Sequence, residues 1–127
     1  MGDTVLHLAT RKRDEDLCKV LIESGAPIDG QNGEGQTSLH LASIQGSENI
    51  MRVLFLSRAN ANISDHEERL PIHLAAERGH TRLVEFLVDK FRASVYERTR
   101  DGSTLMHIAA INGHPETAMA LFERGVI

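Results

Sequence analysis

Short apolar stretches alternate with polar, glycine-bearing ones along this chain, and the spacing inside them is helical. Leu17, Val20 and Leu21, and again Leu83, Phe86 and Leu87, recur three to four residues apart, which lines one helix face with apolar side chains. Ahead of each such face runs a shorter, mostly apolar segment with an alanine two residues after a histidine. A small side chain there lets neighbouring helices approach closely. Gly46, Gly79 and Gly113 stand where three of these segments should stop. Asp14 and Ser47 are suited to capping the longer helix that follows, and Pro115 falls in a first helical turn, where an N–H has no partner to lose. Turn chemistry lies at 32–35, 65–68 and 100–102, rich in Asn, Asp and Gly. The pattern predicts pairs of short helices separated by hairpin turns, an all-α chain.

The pattern also returns. Thr-Val-Leu-His-Leu-Ala at 4–9 comes back as Thr-Ser-Leu-His-Leu-Ala at 37–42, Leu-Pro-Ile-His-Leu-Ala at 70–75 and Thr-Leu-Met-His-Ile-Ala at 104–109. His7, His40, His73 and His107 are therefore spaced 33, 33 and 34 residues apart. Glycine follows six residues after three of them, Arg13 replacing it in the first copy. Apolar pairs (Leu21-Ile22, Leu54-Phe55, Leu87-Val88, Leu121-Phe122) close each second helix. The implied units are 1–32, 33–65, 66–99 and 100–127, the extra residue of the third lying near Lys90-Phe91-Arg92. One such unit cannot bury its apolar face alone, whereas stacked units can, giving a solenoid in which each unit touches only its neighbours.

Four copies of a T-x-L-H-x-A core at this period resemble ankyrin repeats over the whole chain. The resemblance implies an all-α solenoid of four stacked helix-turn-helix repeats with protruding hairpin loops. It also implies that Thr4, Thr37 and Thr104, with His7, His40, His73 and His107, tie each turn to its first helix through hydrogen bonds. Partners of such repeats usually meet the hairpin tips and the first helices. Here that concave surface comprises Glu34, Gln36, Ile44, Gln45, Glu67, Arg69, Glu77, Arg78, Asp101, Ser103, Ile111 and Asn112. Ile44 and Ile111 are apolar at positions the repeat normally leaves exposed, and either pack on a neighbouring unit or serve a partner.

Segments 3–14, 31–37, 89–94 and 97–109 depart from a generic ankyrin sequence and are similar to the interior ankyrin array of the TRPN (NOMPC) branch of transient receptor potential channels. That resemblance implies a force-bearing segment of a cytoplasmic superhelix, part of the gating spring of a mechanically gated, homotetrameric cation channel. The implied partners are neighbouring repeats of the same array, microtubules, and the other channel subunits. The implied location is the cytoplasmic side of the plasma membrane, in a sensory cilium. The competing expectation is a protein-interaction module of a cytoplasmic adaptor, without a channel. The first unit keeps Val5, Leu6, Leu8, Val20, Leu21 and Ile22 apolar where a capping repeat would be polar, as expected of an excerpt from a longer array, with Met1 an addition to it.

Composition narrows the remaining classes. The 127 residues are 41% apolar and 25% charged, with 14 basic against 18 acidic side chains and a net charge of −4. That balance gives no broad cationic footprint for nucleic acid. Apolar runs such as Val53-Leu54-Phe55-Leu56 are far too short to span a bilayer. The single cysteine, Cys18, excludes an internal disulfide and reads as a packing residue with no His-acid arrangement beside it. Of seven histidines, four are the repeat histidine, and His80 and His114 fall on the step before the second helix, so the two His-x₆-His pairs follow from the repeat and not from a zinc site. His66 is a solvated hairpin residue. Gly33-Glu34-Gly35 lacks the strand and Lys-Ser pair of a phosphate loop. Arg11-Lys12-Arg13, offset at once by Asp14, Glu15 and Asp16, reads as a solvated helix end or a contact for an acidic partner. Neither a catalytic constellation nor a cofactor is expected. Leu87, flanked by units on both sides, should cost clearly more stability on change to alanine than Leu121 in the last unit.

Overall fold

A computed structural model describes residues 2–126; Met1 and Ile127, the outer limits of the first and last units, lie outside the described residues. Eight helices and no strand occur among the described residues: α1 (Val5–Arg11), α2 (Glu15–Glu23), α3 (Ser38–Gln45), α4 (Glu48–Leu56), α5 (Pro71–Glu77), α6 (Thr81–Asp89), α7 (Leu105–Ile111) and α8 (Pro115–Glu123). The odd-numbered helices form one row and the even-numbered ones a second. Each helix packs on its pair mate and on the same-row helix of the adjacent unit. The architecture is an ankyrin-type helical solenoid, all-α as the sequence predicts.

The two rows bury different parts of the repeat. Leu6, Leu39, Ile72 and Leu105 are at most 1% exposed and form the spine under the odd-numbered helices. Ala9, Ala42, Ala75 and Ala109, each two residues after the repeat histidine, are all 0% exposed. A longer side chain at any of them would hold the first helix off its neighbour. Leu54, Leu87 and Leu121 form the second spine, each 0% exposed. Leu121, in the last unit, is thus as fully buried as Leu87. The Val126 N–H donates to the Leu121 carbonyl at 3.0 Å, as the Ala26 and Ala59 N–H groups do to Leu21 and Leu54.

Helix boundaries follow local chemistry, with one departure at the cap of α4. The Asp14 carboxylate accepts from the Leu17 N–H at 3.0 Å, a side-chain cap for α2. Ser47 makes no such bond to α4; its hydroxyl donates instead to Gln45 Oε1 at 3.1 Å. Positive φ recurs at three places per unit: in the hairpin (2, 35, 68, 102), between the helices (13, 46, 79, 113) and after the second helix (25, 58, 92, 125). Glycine fills eight of these twelve; Arg13, Arg58, Glu68 and Arg92 adopt the same left-handed turn at a steric cost.

The extra residue of the third unit is visible in the hydrogen bonding. Ala26, Ala59 and Val126 each donate to a carbonyl five residues back, whereas Ala93 reaches six back to Leu87. The insertion does more than lengthen a loop. It places Phe91 with its ring centroid 5.2 Å from Phe55 and 5.7 Å from Phe86, and those two rings meet edge-on at 5.5 Å. Edge-to-face geometry of this kind adds to area burial.

Candidate functional site

Each hairpin is held rigid by one or two short polar side chains at its base. Asn32 Oδ1 accepts from the N–H groups of Glu34 and Gln36, both at 3.0 Å. Asp65 Oδ1 accepts from Glu67 (2.9 Å) and Arg69 (2.8 Å) in the equivalent place. In the third hairpin Thr99 and Asp101 act together. The Thr99 hydroxyl donates to Asp101, which accepts from the Ser103 N–H at 3.2 Å. These bonds to the charged form hold the Asp101 carboxyl below its usual range.

The repeat histidines join these hairpins to the first helices and to one another. In the first unit the Thr4 hydroxyl lies 2.8 Å from His7 Nδ1, and the Thr4 N–H donates to the same nitrogen at 3.0 Å. His7 Nε2 donates across the stack to the Gln36 carbonyl at 2.6 Å. Thr37 and His40 repeat the arrangement, His40 Nε2 reaching the Arg69 carbonyl at 2.9 Å. At His73 the threonine is replaced by Leu70, whose N–H still donates to Nδ1 at 2.9 Å. His73 Nε2 reaches the Glu97 carbonyl (2.9 Å), not the Ser103 carbonyl to which the period points. His107 keeps its bond to Thr104 at 3.0 Å, is itself exposed, and has no Nε2 partner among the described residues. Because a carbonyl only accepts, Nε2 carries the proton and Nδ1 the lone pair in the first three units. Burial pushes His40 and His73 below the usual histidine pKa, against the opposing pull of those carbonyls.

A second set of cross-unit contacts has no counterpart in the repeat motif itself. His80 Nε2 donates to the Ile44 carbonyl at 3.1 Å, and His114 Nε2 to the Glu77 carbonyl at 2.9 Å. Each ring lies across the glycine that ends the preceding unit's first helix, Gly46 or Gly79. The sequence signal was the recurring Gly-His step, which marks position and not reach. His66 likewise lies over Gly35, its N–H donating to the Glu34 carbonyl at 3.0 Å, so it is a bridge between hairpins and not simply a solvated loop residue.

The concave surface forms from hairpin tips and the ends of the odd-numbered helices. Glu34, Glu67, Arg78, Asp101, Asn112 and Ile111 are exposed, and Ile44, Gln45, Arg69, Glu77 and Ser103 are half-buried. Gln36 does not belong: it is 5% exposed, because its N–H is tied to Asn32 and its carbonyl to His7. Ile44 is partly covered within the stack, while Ile111 is 76% exposed. A groove of about 470 Å³ opens between the third and fourth units, lined by Glu67, Arg69, His73, Glu77, Arg100, Asp101, Ser103, Asn112, Ile108 and Ile111. A shallower depression lined by Gly33, Glu34, His66, Glu67 and Arg69 continues it toward the second unit. Thr99 and Arg100 belong to this lining and carry no signal in the repeat motif; the altered third hairpin brings them in.

Elsewhere the titratable groups have structural roles. Arg11 pairs with Asp3 at 2.6 Å and holds that carboxyl at about 2, which makes Arg11 a tied residue within the Arg11-Lys12-Arg13 cluster. Cys18 is 0% exposed and burial pushes its thiol up, the opposite of an activated nucleophile. No group of three His, Cys, Asp or Glu is placed to hold a metal among the described residues. No described helix is long and apolar enough to cross a membrane.

A stack of this geometry defines a helical repeat solenoid. The family model for ankyrin repeats (3 copies) matches residues 1–65 and 54–126, and the chain belongs to the ankyrin repeat family. No curated protein matches the chain.

Proposed function

We propose that this chain is a non-catalytic protein-interaction module that captures a protein partner along its concave face. The observation that carries this reading is a 76% exposed Ile111 set among polar hairpin tips that are already rigid. Apolar surface presented on a frame fixed by Asn32, Asp65 and Asp101 binds without a large ordering cost. The buried cysteine and the hydrogen-bonded histidines favour binding over catalysis.

The test is capture from extract on the immobilised chain, compared with the same chain carrying Glu34→Lys, Glu67→Lys and Asn112→Lys. Loss of specific partners in the triple variant supports recognition through the concave face. Unchanged capture by that variant, with loss on altering the even-numbered helices, overturns it.

The narrower reading is a force-bearing segment of a mechanically gated channel's superhelix, tethered to microtubules. Its support is the similarity of segments 3–14, 31–37, 89–94 and 97–109 to TRPN arrays, together with a stack in which small rotations at successive interfaces can sum. It ranks second. Co-sedimentation of the chain with polymerised microtubules, insensitive to the three lysine substitutions, would move it to first.

A further inference from the structure

The balance of charge around the groove between the third and fourth units indicates what fits it. Its two cations are already engaged. Arg69 contacts Asp65 at 3.0 Å and Glu67 at 2.9 Å. Arg100 contacts Glu68 at 3.1 Å and also donates to the His66 carbonyl. Three carboxylates, Glu67, Glu77 and Asp101, line the groove with these two guanidinium groups, which also pair with Asp65 and Glu68 outside it. Glu77 and Asp101 have no ion-pair partner among the described residues, and Asp101 is held ionised by hydrogen bonds alone. The shallower depression adds Glu34 on the side of the second unit. The apolar part of the lining is half-buried Ile108 and exposed Ile111.

Deepening the interaction-module reading and resting on it, we infer that the groove takes an extended segment of a partner protein in which basic side chains flank an aliphatic one. The aliphatic side chain covers Ile111 and Ile108, and Lys or Arg groups face Glu77 and Asp101. An acidic segment would meet repulsion from Glu77 and Asp101, and both guanidinium groups that line the groove are already paired. A purely apolar segment would bury Glu77 and Asp101 without compensation, which is costly for ionised groups. The hairpin acids Glu34, Glu67 and Asp101 line successive units, so the segment lies along the stack and not across it.

The probe is an end-blocked, fluorescein-labelled peptide of alternating Arg and Leu, titrated with the whole chain and followed by fluorescence anisotropy. Two control peptides replace every Arg by Glu or every Leu by Ser. The expected result is binding of the Arg/Leu peptide, weakened about three- to fivefold by Glu77→Gln, by Asp101→Asn and by Ile111→Ser, the size range of single surface-exposed contacts. Glu116→Gln, on α8, should leave it unchanged. All four positions are solvent-accessible, and circular dichroism of each variant checks that the fold is kept. Equal binding of the Arg/Leu and Glu/Leu peptides, or weakening by Glu116→Gln as large as that by Glu77→Gln, overturns the inference. Absence of binding by all three peptides also overturns it. In each case capture through the concave face in the lysine-variant experiment remains a separate result, so failure of the segment chemistry is distinguishable from failure of the module reading.

Discussion

His114 lies flat across Gly79, so close that a Cβ built on Gly79 would sit 2.5 Å from its Nδ1, while its Nε2 donates to the carbonyl of Glu77 at 2.9 Å. The fourth unit is thereby seated on the end of α5 in the third. His80 on Gly46 repeats the relationship one unit earlier. Gly113 adopts the same left-handed turn, with φ near +73°, but has nothing within 4 Å of its would-be Cβ.

These two glycines separate backbone strain from steric exclusion. Gly113→Ala should incur only the left-handed penalty, roughly 1–2 kcal/mol. Gly79→Ala incurs the same penalty and must also push His114 off its carbonyl, so it should cost about 1–3 kcal/mol more. Urea unfolding with unchanged m-values gives both numbers. Equal costs would show that the histidine seat contributes nothing to the interface.

Acid should weaken the stack through its buried histidines. His40 and His73 have folded pKa values below the ordinary 6.5, chiefly from burial. As pH falls below about 6.5 the unfolded chain binds protons that the folded chain refuses, so stability present above that pH is lost on the way down to the folded pKa. Urea midpoints should therefore fall between pH 7.5 and pH 5.5. The fall should shrink in His73→Gln, which keeps a polar side chain without the titration. A flat profile in the parent would mean that the folded chain takes up protons on these rings as readily as the unfolded chain does.

Much of this was legible in the sequence because the repeat writes it four times. The spine leucines, the fully buried alanines and the positions of the histidines are set by a period that any one copy would leave ambiguous. What was not legible is reach. Nothing in Gly-His at 79–80 says that the ring bonds back to Ile44, and nothing in Gln36 says that its backbone is consumed by Asn32 and His7, which removes it from the surface. The third hairpin misled for a physical reason. An inserted residue after α6 frees Phe91 to join Phe55 and Phe86, and the hairpin beyond it presents the Glu97 carbonyl to His73.

Because Leu121 is as completely buried as Leu87, truncating either should be costly. Each change to alanine should fall within about 2–5 kcal/mol, and the end position should not be exempt. Sedimentation at the same concentrations must show monomer, since exposed Phe122 and Met119 favour association at high concentration. A Leu121→Ala cost below about 1 kcal/mol would contradict the complete burial of that side chain.

Arg58 and Gly25 occupy the same turn in adjacent units, with φ of 65° and 96°, and they should respond oppositely to exchange. At Gly25 a Cβ would meet nothing within 4 Å, so Gly25→Ala adds only the left-handed strain, roughly 1–2 kcal/mol. Arg58→Gly removes the same strain. Against this, glycine makes the unfolded chain more flexible at a cost of about 0.5–1 kcal/mol. Arg58 is exposed and takes part in no side-chain hydrogen bond or ion pair among the described residues, so little else is given up. The net change should be a stabilisation of up to about 1 kcal/mol, the remainder after those two opposing effects. Thermal unfolding would register it as a rise of several degrees for a domain of this size. If Arg58→Gly destabilised the stack, the arginine at this turn would be holding something that its open, solvated side chain does not reveal.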